Sequence, residues 1–291
     1  MNAPPISQPR GEHAWPLCQA VSQSGPMKTI IPLAVLLAAC NQAPAPPAAN
    51  QDADSASAPA APAPPPAAKP FAFDVENDLV EYHYGWSAEA AAVPELAARF
   101  AAAMEKDRAE LIASAKEDKA SRAKDGFPFH PYSSSTQYDT AGQSPGLLSL
   151  SVAVSAYTGG AHGNFGTSGL LWDRLAKKEV AITDLFDPPA RLPAIIGKPW
   201  CDALNIQRVK KREEQPRPGE MFWDCPKLSE IAIVPTDKNA NGRFERLVLT
   251  ASPYVAGPYV EGEYEVELPV RESLIAALKP EFRESFEAQP Q

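Results

Sequence analysis

Residue types and motifs that carry catalytic chemistry are scarce in this chain. Its 291 residues include only four cysteines and four histidines. We expect no GxSxG nucleophile elbow, and the HExxH pattern of zinc proteases, the P-loop and the dinucleotide-binding glycine fingerprint are absent from the sequence. Carboxylates are plentiful, but no particular acid and base pair stands out among them. The sequence therefore identifies no catalytic residue and predicts no cofactor and no metal.

The chain also lacks a hydrophobic run long enough to span a bilayer. Its apolar stretch, residues 30–39, is about half the length that a spanning helix needs. The sequence MKTIIPLAVLLAAC, which ends at Cys40, has the basic start, short apolar run and small residues of a secretory signal. We expect a signal peptide over residues 27–39. Residues 1–26 are expected to arise from a start codon placed too early and to form no structure.

The tetrapeptide LAAC that ends at Cys40 resembles a bacterial lipobox, whose cysteine receives acyl chains. The alternative is an apolar stretch that ends in cysteine by chance. Residues 40–70 are mainly Ala, Pro and small polar residues, which predicts a lipid anchor followed by a disordered tether. Its reach is on the order of 90 Å. Asn41 follows the lipid site, and this favours the outer membrane, with the folded part in the periplasm.

Basic residues are outnumbered by acidic ones. The chain has 27 Lys and Arg against 36 Asp and Glu, a net charge of −9 at pH 7. Loss of residues 1–40 removes Arg10, Lys28 and Glu12 and brings the net charge to −10. This balance argues against nucleic acid or anionic lipid headgroups as partners. It is compatible with a basic protein or a neutral glycan.

Two cysteines remain when Cys18 in the leader and the lipid site are set aside. Cys201 and Cys225 are an even pair in an oxidising compartment, which predicts a disulfide. On the chain-entropy account such a bond would stabilise the fold by about 3 kcal/mol. The rival interpretation, a metal site, has neither a CxxC pattern nor a histidine beside either cysteine.

The composition becomes globular from residue 71, and we expect an N-terminal half over residues 71–190. It opens with a strand-like segment rich in aromatic and β-branched residues. Pro94 begins and Gly126 ends a pattern of apolar residues at helical spacing, which predicts one long amphipathic helix. The stretch GLLSLSVAVSAY alternates apolar and polar residues, which predicts a strand with one buried and one polar face.

The C-terminal half, residues 191–291, is again rich in strands. A short helix from Leu192, a hairpin with its turn at Asn241-Gly242, the strand GEYEVELPV and a final short helix RESLIAALKP are expected. Strands and helices segregate without a repeating βα rhythm. The sequence therefore predicts an α+β fold with antiparallel sheets, one long amphipathic helix and short helices, in two similar-sized halves packed together.

Two segments or residue sets resemble metal sites in part, and the pattern favours neither as one. The segment DKNANG from Asp237 matches the first half of a calcium loop, but Val248 stands at the twelfth position. Glu245 could substitute for the missing glutamate, yet a hairpin turn explains the segment better. The histidines beyond the leader are widely separated, so their spacing indicates no Zn²⁺ site: His83, His130 and His162.

Two motifs carry a family resemblance. YTGGAHG (157–163) and PYVAGPYVEG (253–262) occur in this order. They resemble the extracytoplasmic domain family of RsiV-type anti-sigma factors and PdaC-type peptidoglycan deacetylases. The resemblance extends from about Phe71 to the end of the chain and implies an α+β module of the cell envelope. In the anti-sigma factors this region receives lysozyme, and in the deacetylases it accompanies a separate catalytic domain, which this chain lacks. The segment from Cys201 to Cys225 departs from the pattern.

The resemblance and the missing catalytic motifs together favour a non-catalytic envelope lipoprotein that binds peptidoglycan or a lysozyme-like protein. The alternative is a cell-wall hydrolase or deacetylase that uses His162. A third possibility is a structural protein with no specific ligand. We expect His162 mainly to hydrogen-bond neighbouring backbone, with the glycines around it serving the turn. The candidate binding residues are Tyr157, Gly159, Gly160, His162, Gly163, Tyr254, Tyr259 and Gly262.

Overall fold

The computed structural model describes residues 68–290. Of the segments predicted above, the leader, the signal peptide, the lipid site Cys40 and the tether up to residue 67 lie outside these residues. The statements below concern the described part alone. No helix in it is long and apolar enough to cross a bilayer.

Six strands form the first sheet, and they lie side by side in chain order. Their bounds are β1 Phe71–Glu76, β2 Val80–Trp86, β3 Tyr132–Gln143, β4 Leu147–Tyr157, β5 Asn164–Asp173 and β6 Lys178–Glu179. Neighbouring strands are antiparallel except β2 and β3, which are parallel. A parallel pair requires a long crossover connection, and two helices provide it.

The crossover consists of α1 (Ala88–Ala91) and α2 (Pro94–Asp125). Proline in the first turn needs no amide partner, and Gly126 ends the helix with a left-handed φ of 75°. The predicted bounds of the long helix are therefore confirmed. Its apolar stripe packs on one face of the first sheet, and the buried members are Leu96, Phe100, Met104, Leu111 and Ala115.

Three strands form the second, fully antiparallel sheet. Its strands are β7 Ala232–Thr236, β8 Arg246–Ala251 and β9 Tyr264–Pro269. Two helices accompany it, α3 (Arg191–Arg212) and α4 (Glu272–Ala277). The predicted hairpin between β7 and β8 is confirmed, and the Asp237 carboxylate accepts the backbone N–H groups of Asn241 and Gly242 in its turn. Short 3₁₀ turns occupy Ile182–Leu185, Leu228–Glu230, Tyr259–Glu261 and Pro280–Ser285.

The face of β4 that the alternation predicts to be polar is more buried than expected. Leu148, Leu150 and Val152 pack against α2, as expected. On the opposite face Ser149 is only 1% exposed, and the serines further along the strand are half-buried. The reason is long-range: β7 packs across the face that the alternation had assigned to solvent. The 12-residue strand β3 was not predicted from the sequence at all.

The helix expected from Leu192 is longer than predicted. It spans 22 residues and continues through Pro199, because its buried face packs on the second sheet and outweighs the lost backbone hydrogen bond. The disulfide prediction is confirmed: Cys201 on α3 is bonded to Cys225, with Cα atoms 5.6 Å apart. The mixed α+β fold, with mostly antiparallel sheets and one long helix, is confirmed as well.

Candidate functional site

Two loops that lie far apart in the sequence meet at one edge of the molecule. The β4–β5 loop (158–163) contains most of the first motif, and the β8–β9 loop (252–263) contains the second. The Tyr259 hydroxyl donates a hydrogen bond of 2.8 Å to the carbonyl oxygen of Gly163. These residues are 96 positions apart, so tertiary structure alone brings the two motifs together.

An aromatic cluster forms where the loops meet, and we define it as His162, Phe165, Tyr254 and Tyr259. The His162 ring stacks on the Tyr259 ring, with centroids 4.0 Å apart and planes 26° apart. Phe165 meets the same ring edge-on at 5.5 Å, and Tyr254 lies 5.8 Å away. Such offset and edge contacts are the favoured geometries of aromatic pairs. Tyr259 is therefore the central ring of the cluster.

The cluster is open to solvent on one side. His162 is exposed, Tyr254 is 54% exposed and Tyr259 is half-buried. Tyr254 has a φ of 69°, an uncommon conformation for a residue with a side chain. Its N–H donates to the carbonyl of Gly257, which helps to hold it there. The site is thus a shallow aromatic surface and not an enclosed cavity.

His162 contacts backbone and an aromatic ring. Its Nδ1 lies 2.8 Å from the carbonyl oxygen of Gly163. A carbonyl only accepts, so Nδ1 carries the hydrogen and donates. In the neutral ring Nε2 is then an acceptor, and His162 itself is exposed. This agrees with the expectation that His162 hydrogen-bonds neighbouring backbone.

The glycines of the first loop serve its backbone. Gly159 and Gly160 have φ values of 87° and 109°, which side chains rarely adopt. At Gly163 a Cβ would lie 3.0 Å from the carbonyl oxygen of Ala156. Tyr157, which the sequence grouped with the other tyrosines, donates its hydroxyl to the Gly160 carbonyl within its own loop.

Side chains in the last turn of α3 hydrogen-bond the β8–β9 loop, a contact that the sequence did not predict. Arg212 bonds both carboxylate oxygens of Glu261 at 2.8–3.2 Å and the carbonyl of Ala256 at 3.1 Å. These hydrogen bonds keep the pKa of Glu261 below its ordinary value although burial acts to raise it. Lys211 donates to the carbonyls of Glu261 and Glu263. Gly262, from the second motif, turns the loop after Glu261 with a φ of 69°.

Arg208 links the loop to the disulfide segment. It is fully buried, and it donates to the carbonyls of Ala256, Trp223 and Asp224 at 3.0–3.2 Å. Burial lowers its pKa. Because Cys225 follows Asp224 directly, the disulfide and Arg208 fix the same stretch of chain. The segment from Cys201 to Cys225 therefore supports the loop that carries Tyr259, through the bond from Arg208 to the Ala256 carbonyl.

The carboxyl group of Glu263, at the end of the β8–β9 loop, contacts the first sheet near the cluster. Thr167 Oγ1 on β5 donates to Glu263 Oε2 at 3.3 Å. The other oxygen, Oε1, is buried and has no hydrogen-bond partner among residues 68–290. Burial raises the pKa of Glu263, although the bonds from Thr167 act in the opposite direction. This pair was not identified from the sequence, because nothing in either local pattern indicates the contact.

The other histidines lie on separate elements. His83 on β2 hydrogen-bonds Asp74 at 2.7 Å and Gln137 at 3.2 Å, and His130 precedes β3. Within the described residues no group of three or more His, Cys, Asp or Glu side chains is arranged to hold a metal ion.

One further serine pattern lies in the described part. The letters GQSPG (142–146) spell GxSxG, the pattern of the hydrolase nucleophile elbow. In the structure the segment joins the antiparallel strands β3 and β4, and no helix follows it. Ser144 Oγ bonds Ser285 Oγ at 2.8 Å and accepts the N–H of Leu147. The serine is 6% exposed and stabilises a turn, so it does not form an elbow.

Comparison with known proteins gives one family match. Residues 74–165 match the family described as Deacetylase PdaC. The matched segment ends at Phe165, so it includes the first motif loop and not the second. No curated protein matches the chain.

Two solved structures resemble the fold at low identity. A DUF3298 family protein from Pseudomonas aeruginosa PAO1 gives a TM-score of 0.45 at 19% identity, covering 76% of this chain and 96% of that one. A DUF3298 family member from Bacteroides fragilis NCTC 9343 gives 0.42 at 14% identity, covering 75% and 96%. Neither likeness carries an argument about the site.

Proposed function

We propose that this chain is a cell-envelope lipoprotein that binds the glycan of the cell wall at its aromatic cluster and catalyses no reaction. One observation supports the proposal most strongly. The two motifs meet through the Tyr259–Gly163 hydrogen bond and the His162–Tyr259 stack, and together they form an open aromatic surface.

The chemistry of the surface suits a sugar. The faces of sugar rings present C–H groups that pack on aromatic rings, while their hydroxyls need polar partners at the edge. Here Tyr254 and Tyr259 offer ring surface, and the Nε2 of the exposed His162 offers a polar atom. The support from α3 orders the loop before binding, which lowers the entropic cost of association.

The contacts of His162 favour binding over catalysis. A general base is usually oriented by a carboxylate or paired with a nucleophile. The contacts that the structure gives His162 are to the Gly163 carbonyl and the Tyr259 ring, and neither has such a role. Glycoside cleavage would need two carboxyl groups across the bond. In the loop that carries Tyr259, Arg212 bonds the carboxylate of Glu261 and Thr167 bonds that of Glu263.

The envelope location rests on the N-terminal sequence and on the family match. The lipobox-like LAAC ending at Cys40 would hold the protein at a membrane, and the tether would let the folded part reach the wall. Residues 74–165 are similar to the family described as Deacetylase PdaC. Together with the resemblance of the two motifs to PdaC-type peptidoglycan deacetylases, this similarity supports a role at the same polymer. The resemblance to RsiV-type proteins supports a different ligand, a lysozyme-like protein. The acidic net charge of the chain would attract such a basic partner.

Co-sedimentation of the full chain with purified, insoluble peptidoglycan tests the proposal. We expect retention by the wild type and at least about tenfold weaker retention of Tyr259→Ala, which removes the central ring. Phe127→Ala is the matched control, because Phe127 is 66% exposed and lies outside the cluster. Failure of the wild type to sediment, or equal retention of both variants, would contradict the proposal. Tyr259-dependent capture of a lysozyme at low salt, without peptidoglycan binding, would show that the aromatic cluster binds a protein partner and not the glycan.

A further inference from the structure

A groove of about 490 Å³ runs along β5 beside the aromatic cluster. Its walls are β5 on one side and β7 with the preceding 3₁₀ turn on the other, and the 179–182 segment closes one end. The lining is mainly aliphatic, with Leu171, Val180, Ile182, Leu228 and Ile233 among its members. Its volume is in the range of pockets that bind small ligands or short peptides.

The wall formed by β5 is an open strand edge. The N–H of Val180 on the β6 side bonds the carbonyl of Leu171, so the backbone of Leu171 points away from β4. Because this direction alternates along an antiparallel strand, the backbone of Gly169 points the same way. β6 pairs only with Trp172 and Asp173, and Gly169 is exposed. Its N–H and C=O are therefore placed to pair with an added extended chain.

A buried hydroxyl lies on the floor of the groove. Ser149 lines it, is 1% exposed, and its Oγ has no hydrogen-bond partner among residues 68–290. A buried polar group without a partner is costly, and a ligand that bonds to it removes that cost. This hydroxyl is an independent sign that the groove receives a polar ligand.

The charge of the lining selects among peptides. The charged side chains in it are Glu179 and Glu230, both carboxylates. Glu179 is paired with Arg99, whereas Glu230 is exposed and accepts the backbone N–H of Lys227. An ammonium group on the ligand would complement this rim, and a ligand that is only anionic would be repelled.

The groove is continuous with the aromatic cluster. Thr167, which bonds Glu263, lines the groove, and so does Ser252, the first residue of the β8–β9 loop. Phe165 of the cluster and Gly169 of the open edge lie on the same strand, about 13 Å apart at 3.3 Å per residue. A branched ligand can therefore place a sugar on the cluster and an attached peptide in the groove.

We infer that this groove binds the peptide that branches from the cell-wall glycan, as a short extended chain paired with the open edge of β5 at Gly169. The inference rests on the proposed function for the sugar part. The peptide has small side chains and a free amine, which meet the aliphatic lining and Glu230. Ser149 Oγ bonds its backbone.

Calorimetric titration of the full chain tests this inference with three probes. They are the disaccharide of N-acetylglucosamine and N-acetylmuramic acid, the same disaccharide bearing a tetrapeptide with a diamino acid, and the free tetrapeptide. We expect the peptide to raise the affinity of the disaccharide at least about tenfold. Acetylation of the side-chain amine should remove part of that gain.

Two variants locate the peptide. Ser149→Ala should lose the gain while its unfolding midpoint stays unchanged or rises, since it removes a buried hydroxyl without a partner. Ser229→Trp should fill the groove from an exposed position, and Ser229→Ala is its control. Binding of the disaccharide alone should survive in both Ser149→Ala and Ser229→Trp.

The outcomes separate this inference from the proposed function. Equal affinity for the disaccharide with and without peptide overturns the inference that the groove binds the peptide, and it leaves the aromatic cluster as the sugar site. Binding of the free tetrapeptide in a Ser149-dependent manner, without binding of the disaccharide, supports the groove and removes the sugar site. Absence of binding by both peptide-bearing probes overturns the groove, as does a gain that persists in Ser229→Trp.

Discussion

Substitution of Arg208 tests whether α3 supports the loop that carries Tyr259. Arg208→Lys keeps the positive charge and loses the planar fork of donors. In the structure the guanidinium is fully buried and donates to three backbone carbonyls and to Asn205 Oδ1. An ammonium group on a shorter stem cannot reproduce this fork, so the Trp223 and Asp224 carbonyls lose their partner, whereas the Ala256 carbonyl keeps its bond from Arg212.

The expected loss follows from those orphaned groups. Each buried acceptor left unpaired costs about 1–3 kcal/mol, so the free energy of unfolding should fall by about 3 kcal/mol. For a domain of this size the melting temperature should fall by about 10 °C. Urea unfolding followed by circular dichroism, with the disulfide oxidised, measures this. Lys210→Met is the control, because Lys210 is exposed on the same helix. A loss below about 1 kcal/mol, or one no larger than that of the control, would show that Arg208 does not hold the loop in this way.

Further expectations concern neighbouring features. Replacement of Cys201 and Cys225 by serine should lower the free energy of unfolding by about 3 kcal/mol, and a reducing agent should have the same effect on the wild type alone. Gly257→Ala should destabilise by about 1–3 kcal/mol in urea unfolding, because its Cβ would overlap Glu261 Oε2; a neutral result would contradict the close approach. The folded state binds the Glu263 proton more tightly than the unfolded state does, so stability should fall as pH rises from about 4.5 through the raised pKa. Glu263→Gln should flatten that part of the pH profile, and an unchanged profile would show that this carboxyl has no such role.

Local signals in the sequence predicted the elements whose ends are fixed locally. Pro94 and Gly126 fix the bounds of α2 because each acts through its own backbone conformation. The Asp237 turn was predictable for the same reason, since its carboxylate bonds amides within five residues. The disulfide was predictable by counting, because the two cysteines that remain after the expected leader and lipid site are set aside have one possible partner each.

What the sequence could not predict depends on long-range packing. The serines of β4 resemble a solvated face, and only the position of β7 shows that Ser149 is buried. Likewise, no local pattern indicates that Thr167 reaches Glu263, which is 96 residues away. The two motifs were identified from the sequence, but their contact through Tyr259 required the fold. The helix from Leu192 was expected to be short, and α3 continues to Arg212 because its buried side chains pack on the second sheet, which no local pattern indicates.

Saturation-transfer NMR between the full chain and the cell-wall disaccharide tests directly whether the aromatic cluster binds the glycan. Irradiation of the aromatic protons of the protein should transfer saturation to the ring protons of the sugar, because the proposed site places that sugar on Tyr259 and His162. The same transfer should be lost in Tyr259→Ala and kept in Phe127→Ala. An absence of transfer in the wild type, or full transfer in Tyr259→Ala, would contradict the assignment of the aromatic cluster as the glycan site.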